Sequence, residues 1–398
     1  MKNRNPPAPR IALALAGGGP LGAIYEIGAL CALEEALQGL DFTALDHYVG
    51  VSAGSFIAAG LANGMSPRAL CAAFIDDAAG SKDNFDPSWL MRPAYDEFAR
   101  RAIMLPGLAA SALWRATVGR RSIASSLERL GAALPVGIFS NEQIHRRLGD
   151  LFSRGGRTND FRELKAKLTV VATDLDSGDA APFGRPGWDH VPISRAVQAS
   201  SAMPGLFPPV EIEDRYFVDG ALKKTMHASV ALDEGVDLLL CLNPLVPFNA
   251  ATHGSAIPRI VDGGLPAVLG QTFRSLIHSR MALGMKHYER AYPGTDIVLI
   301  EPDHRDPELY LANTFAYGQR RRLAEHAYQR TRAMLRERHD ELSPKLKRHG
   351  IELRMDVLED ARRHLVAPSL ATTRIGRATA KLHAVLDDLS VATRLAPR

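Results

Sequence analysis

The chain has few cysteines, few aromatic residues and almost no excess of charge, and each shortage narrows what it can be. Only three cysteines occur in 398 residues, Cys31, Cys71 and Cys241, far apart and each in an apolar context. An odd number without metal-ligand spacing argues against a disulfide framework or a cysteine zinc site, and predicts buried core thiols in a reducing compartment. The net charge is only +4. With no aromatic residues interleaved among the basic ones, this argues against a nucleic-acid partner, while a weakly basic face still suits an anionic membrane surface. No apolar run is long enough to cross a bilayer. Lys2, Arg4 and Arg10 followed by Ile11 to Ala16 mimic a secretory signal, but the apolar part is short and runs straight into glycines. Residues 1–10, with Pro6, Pro7 and Pro9, read instead as an extended leader. The expected location is the cytoplasm, with at most a peripheral contact at the inner membrane surface. There is no internal repeat and no low-complexity tract.

What is present is ordinary globular material, 46% hydrophobic and 23% charged, enough for one large α/β domain or two smaller ones. Ile11 to Ala16 is wholly apolar, as expected of a strand buried on both faces of a parallel sheet. Further strands are predicted at Tyr48–Val51, Leu168–Ala172, Arg215–Val218, Asp237–Leu242 and Ile297–Ile300, with helices over Leu21–Leu37 and Ser55–Ala62. Strands separated by helical patterns predict a three-layer α/β/α fold with a mostly parallel central sheet. The pattern changes between Asn84 and Ser140, which reads as an inserted cap or helical excursion. Its stretch Ala102–Leu113 carries no charge and suits core packing, the shielding of an acyl chain or a dip into a bilayer. Beyond about residue 305 the chain turns helical and arginine-rich (Arg320, Arg321, Arg322, Arg330, Arg332, Arg336, Arg338), which predicts a C-terminal helical extension with a solvated basic face.

Three turns carry the chemistry. Gly50-Val51-Ser52-Ala53-Gly54 is a G-x-S-x-G sequence between a strand and a helix. Such a turn strains its central residue and demands small neighbours, which Gly50, Ala53 and Gly54 supply, so Ser52 is held out as a candidate nucleophile at a helix N-terminus. Gly17-Gly18-Gly19-Pro20-Leu21-Gly22 also lies between a strand and a helix, and its pattern admits two uses. As G-x-G-x-x-G it is a dinucleotide fingerprint, but the second strand then lacks its terminal acid; as a set of free amides it is an oxyanion hole. Parallel neighbouring strands would bring these amides and Ser52 to the same sheet edge. Asp219-Gly220-Ala221, at the end of an apolar strand, supplies either an ordinary Asp-Gly turn or a carboxylate base.

These residues resemble the patatin-like phospholipase family, which combines a glycine-rich oxyanion turn, a G-x-S-x-G elbow and a D-G-A/G motif, in that order. A fourth segment, Gln198-Ala-Ser-Ser-Ala-Met-Pro-Gly-Leu-Phe-Pro-Pro209, is similar to the family's A-S-x-A-x-P-x-x-F-x-P block. The resemblance spans about residues 11–305 and implies an acyl hydrolase domain there, with 306–398 as an extension. It implies a Ser52–Asp219 dyad, oxyanion donors among Gly17, Gly18, Gly19 and Gly22, and support from Gly50, Ala53, Gly54, Gly220 and Ala221. Leu21 stands where the family often has Lys or Arg, and Ala16 where some members have Asp. The implied substrate is a phospholipid or other acyl-ester lipid, with no metal and no organic cofactor; homo-oligomerisation is left open. A Ser–Asp–His triad through His227 or His253 is the alternative catalytic arrangement, and His227 reads as a surface position. A non-catalytic lipid-binding relative and a dinucleotide enzyme are the rival functions.

Overall fold

A computed structural model describes residues 8–75, 90–117, 134–251, 259–310 and 319–366. The first half runs β1 (Ile11–Leu15), α1 (Gly19–Ala36), β2 (Leu37–Gln38), β3 (His47–Val51), α2 (Ala53–Ala62), α3 (Pro67–Phe74), α4 (Tyr95–Thr117), α5 (Glu142–Phe152), β4 (Lys167–Asp174), β5 (Ala180–Phe183) and α6 (Ile193–Ser200). It continues with β6 (Val210–Ile212), β7 (Arg215–Asp219), α7 (Ser229–Leu232), β8 (Leu238–Leu242), α8 (Gly264–Ala291) and β9 (Asp296–Ile300). The remaining elements are α9 (Pro307–Tyr310), α10 (Arg320–Glu337), α11 (His339–Arg348), β10 (Glu352–Leu353) and α12 (Met355–Glu359).

Eight strands form one sheet, in which β4, β3, β1, β8 and β9 lie side by side and parallel. β5 and β7 pair antiparallel with β4, and β6 extends β7. The apolar runs have their cause here, because both faces of the sheet are covered. Alternate residues of β1 go to opposite layers. Ile11, Leu13 and Leu15 join α1, α2, α3 and α10 in one core, while Ala12, Ala14 and Ala16 pack toward α7 and α8. All six predicted strands are present within a residue or two of their expected ends; the short edge strands β5 and β6 were not foreseen.

Two expectations change. The arginine-rich C-terminal helix keeps a solvated basic face in Arg321, Arg322, Arg330 and Arg336, but it is no appendage: Ala324, Ala327 and Tyr328 of α10 share the core of α1, and β10 pairs with β2. Arg320 and Arg332 are buried. The Arg332 guanidinium donates to the carbonyls of Val357, Asp360 and Arg363 at 2.8, 2.8 and 3.0 Å, tying down the chain after α11. Five donors on a planar fork suit such a cluster of carbonyls, which helical periodicity does not reveal. In the inserted region Ile103, Met104 and Leu105 are exposed on α4, so core packing is not their role; side chains from 108 to 133 lie outside the described residues. So do the leader up to residue 7, His253 and the chain after 366. Among the described residues no helix is long and apolar enough to cross a membrane.

Candidate active site

Sheet register brings the three motifs to one level. Leu15 is opposite Gly50 and Val51 opposite Val171, so continuing the register sets Gly17 beside Ser52 and Ser52 beside Ala172. Ala172 is also the partner of Asp219. Val170 and Val171 pair with both β3 and β5, whereas Ala172 and Thr173 pair with both β5 and β7. A strand has two edges. β5 therefore occupies one edge of β4, and β3 and β7 share the other, meeting head to head at their C-terminal ends. That meeting point is Ser52 and Asp219. The crowding there requires glycine at 220: a Cβ would stand 2.1 Å from the Val171 carbonyl oxygen and 3.1 Å from Val51 Cγ1.

Ser52 has φ 51° and ψ −123°, a conformation that non-glycine residues adopt only where the surroundings enforce it. Its neighbours are small because nothing larger fits. A side chain at Gly54 would fall 2.6 Å from the Leu15 and Ala16 carbonyl oxygens, and one at Gly50 2.6 Å from Ser55 Cα; Ala53 is buried. The Gly54 amide donates to the Ala16 carbonyl at 3.1 Å, locking the elbow to the glycine turn.

The fourth motif holds the elbow from the other side. The Ser52 amide donates to Ser200 Oγ at 2.8 Å, and that hydroxyl donates in turn to the Val171 carbonyl at 2.6 Å. Two residues on, the Ala202 carbonyl accepts from the Asp219 amide at 3.1 Å. One short segment thus fixes the backbone of both motif residues. The role of Ser200 is not legible in the sequence, where its signal is a small-residue run in a helix end that reads equally well as packing.

The glycine turn opens α1. Gly18, Gly19 and Leu21 lie where a helix has no carbonyl one turn back, so their amides are free to bind an anion. Gly17 sits against the other two motifs, since a Cβ there would be 3.0 Å from Ser52 Cβ and 3.2 Å from Ala221 Cβ. Gly22, expected among the oxyanion donors, is corrected: its amide donates to the Gly18 carbonyl at 3.0 Å and closes the first helical turn. Its place is steric, because a Cβ at Gly22 or Gly18 would run into the Pro244 ring at 3.0 or 2.7 Å. That proline follows the end of β8 and packs against the glycine turn. Beneath the turn lies Glu26, wholly buried; burial raises its carboxyl well above the usual range, opposed by the Ala16 backbone.

Asp219 is fully buried. Its Oδ1 accepts from the Ala221 amide at 2.9 Å, while Oδ2 is buried without a hydrogen bond of ordinary geometry. Burial pushes its pKa up to about 6, and the neighbouring Ser52 hydroxyl and Ala221 amide, both favouring the charged form, oppose the rise. A carboxylate of this kind is a far better proton acceptor than one in water. His227 is buried, not a surface residue, with φ 49°. Burial lowers its pKa to about 4, and its Nε2 donates to the Gly220 carbonyl at 3.2 Å. That bond points the ring at the backbone of the turn instead of at Ser52. A cavity of about 210 Å³ adjoins the site through Ala221 and His227, walled by Ile277, Met281, Met285 and Tyr288 of α8. Among the described residues no cluster of metal-ligating side chains occurs.

Comparison with known proteins bears on this geometry. A family model described as patatin-like phospholipase matches residues 13–232, which contain all four motifs. Two curated relatives, uncharacterized NTE family proteins of Mycobacterium tuberculosis and Mycobacterium bovis, are each 25% identical over 283 residues. The match takes in 71% of this chain but only 60% of theirs. Among solved structures, VipD from Legionella pneumophila aligns over 83% of this chain and 67% of its own at 18% identity and a TM-score of 0.36. The ExoU–SpcU complex of Pseudomonas aeruginosa aligns over 90% and 68% at 17% identity and a TM-score of 0.26. The family match covers more than half of the 398 residues: this chain belongs to the patatin-like phospholipase family.

Proposed function

We propose that the chain hydrolyses acyl-ester lipids through a covalent acyl-serine formed on Ser52, with Asp219 as its proton acceptor. The observation that carries this reading is the head-to-head meeting of β3 and β7, which sets a strained serine against a buried carboxylate with a raised pKa. Asp219 accepts the hydroxyl proton as Ser52 Oγ attacks the ester carbonyl carbon. The electron pair moves to the carbonyl oxygen, where the Gly18, Gly19 and Ala53 amides at two helix N-termini supply donors. Collapse expels the alcohol or lysolipid, which takes the proton from Asp219. Water, deprotonated by the same carboxylate, then releases the fatty acid and restores Ser52. The family's lipid substrates and the cavity beside Ala221, whose Ile277, Met281 and Met285 wall is joined by Lys223, Lys224 and Arg280, support an acyl chain with a polar end as the bound group.

The test is labelling with a fluorophosphonate ester, peptide mapping, and measurement of fatty acid released from phospholipid. Label on Ser52 together with fatty-acid release supports the mechanism. Label on another residue, or hydrolysis without label at Ser52, overturns it.

Ser200 offers a second check. Ser200→Ala leaves the Ser52 amide without its acceptor in a buried site, which lowers stability by about 1–3 kcal/mol. Because that amide sets the elbow, kcat is expected to fall by about tenfold or more while KM stays nearly constant. Equal kcat in the variant and the parent would show that the elbow holds without the hydroxyl.

A further inference from the structure

Helix α8 is anchored along one side only. Its inner side bonds to the body through Gln271 with the Phe248 backbone (2.8 and 3.2 Å), Arg274 over the Tyr310 ring, and Arg280 with the Leu222 and Lys223 carbonyls. Met281 is buried beneath it. The opposite side is exposed and carries a row of large apolar residues interleaved with Thr272, Ser279 and His287. Leu265, Val268, Leu269, Phe273, Leu276 and Leu283 follow helical spacing along a single stripe and are all exposed, Leu265 to 70% and Leu283 to 68%. From Leu265 to Leu283 the stripe runs about 27 Å at 1.5 Å per residue.

The charge on this helix is mostly of one sign. The 28-residue helix carries Arg274, Arg280, Lys286 and Arg290 against a single acid, Glu289, near its end. Arg274 and Arg280 are engaged with the body, while Lys286 and Arg290 near the C-terminal end are exposed and form no ion pair among the described residues. An apolar edge flanked by cations matches a surface with an apolar layer just below a plane of negative charge.

We infer that the outer side of α8 docks the protein onto an anionic lipid bilayer, lying in the plane of the headgroups. The purpose of this docking rests on the lipid-ester reading above, because the inner side of the same helix walls the cavity beside Ala221. Its binding does not depend on that reading. A lipid drawn from the bilayer has one helix diameter, about 10 Å, to travel past α8 to the motif turn.

The experiment uses the full chain carrying Ser52→Ala, so that vesicles are not consumed, in flotation assays with phosphatidylcholine vesicles with and without 30% phosphatidylglycerol, a proportion set at about a third to give a strongly anionic surface. Binding to the anionic vesicles that weakens with added salt is expected. Leu265→Ser with Leu269→Ser and Leu276→Ser should weaken it by at least about tenfold, and Lys286→Glu with Arg290→Glu by a similar factor. In the Ser52 background, the same substitutions should leave hydrolysis of a short water-soluble ester unchanged, which shows that the fold and the site are intact. Equal vesicle binding by parent and variants, absence of binding by the parent, or a parent dimer that the serine substitutions dissociate each overturns the inference. Vesicle binding in a protein with no esterase activity would sink the proposed chemistry and leave the docking surface standing.

Discussion

Asp219→Asn is expected to abolish hydrolysis and to make the protein more stable at neutral pH. The two effects have one cause. Burial raises the carboxyl from an ordinary 3.8 to about 6 in the folded state, so the fold favours its protonated form. The resulting stability is fully present below about pH 4 and is lost as pH rises through 6. By pH 7 a shift of this size has removed about 3 kcal/mol. Asparagine keeps the shape, never ionises, and escapes that loss. Denaturant unfolding at pH 7 should therefore favour the variant by up to about 3 kcal/mol, with the gap closing near pH 4. Activity runs the other way. Only the ionised carboxylate accepts the Ser52 proton, so the parent's kcat/KM should rise with pH through about 6. Losing the base should lower the rate by about 10³–10⁴-fold. A variant no more stable than the parent at pH 7, or a parent whose activity is flat between pH 5 and 7, would refute the assignment.

Ser52→Ala should remove the covalent step altogether, lowering kcat by about 10³–10⁶-fold and eliminating fluorophosphonate labelling. It should not rescue stability, because alanine meets the same steric objection at φ 51°. Ser52→Gly is equally inactive but relieves the strain, and its unfolding midpoint should exceed that of Ser52→Ala by about 1 kcal/mol equivalent. Equal stability of the two variants would mean that the elbow is not strained.

Much of this was legible in the sequence. The strands of the parallel sheet declared themselves because burial on both faces makes them continuously apolar, as Ile11–Leu15 and Leu238–Leu242 show. The glycines at 50 and 54 read as a demand for small neighbours, and the structure shows what they approach; Gly17 and Gly220, which read as an amide donor and a turn residue, are close approaches too. The roles of Gly22 and His227 were misjudged, since neither helix phase at a turn nor burial after one is encoded in a local pattern. Ser200 escaped for the same reason: its hydroxyl acts on residues 148 positions away. Arg320 and Arg332 looked like surface charges because their partners are backbone carbonyls, which no sequence pattern advertises. The shared edge of β4 was beyond reach as well, since it depends on how three strands pair.

That shared edge has a consequence for the life of the chain. Position 52 leaves the ribosome long before position 219, by on the order of 10–30 s at about 5–20 residues per second. On the proposed mechanism, the serine would have no base until β7 slots in end-on against β3, and a nascent or truncated product would be harmless to the lipids around it. Competence would then arrive only with long-range closure of the sheet, and the onset of hydrolysis during refolding would time the docking of that single strand.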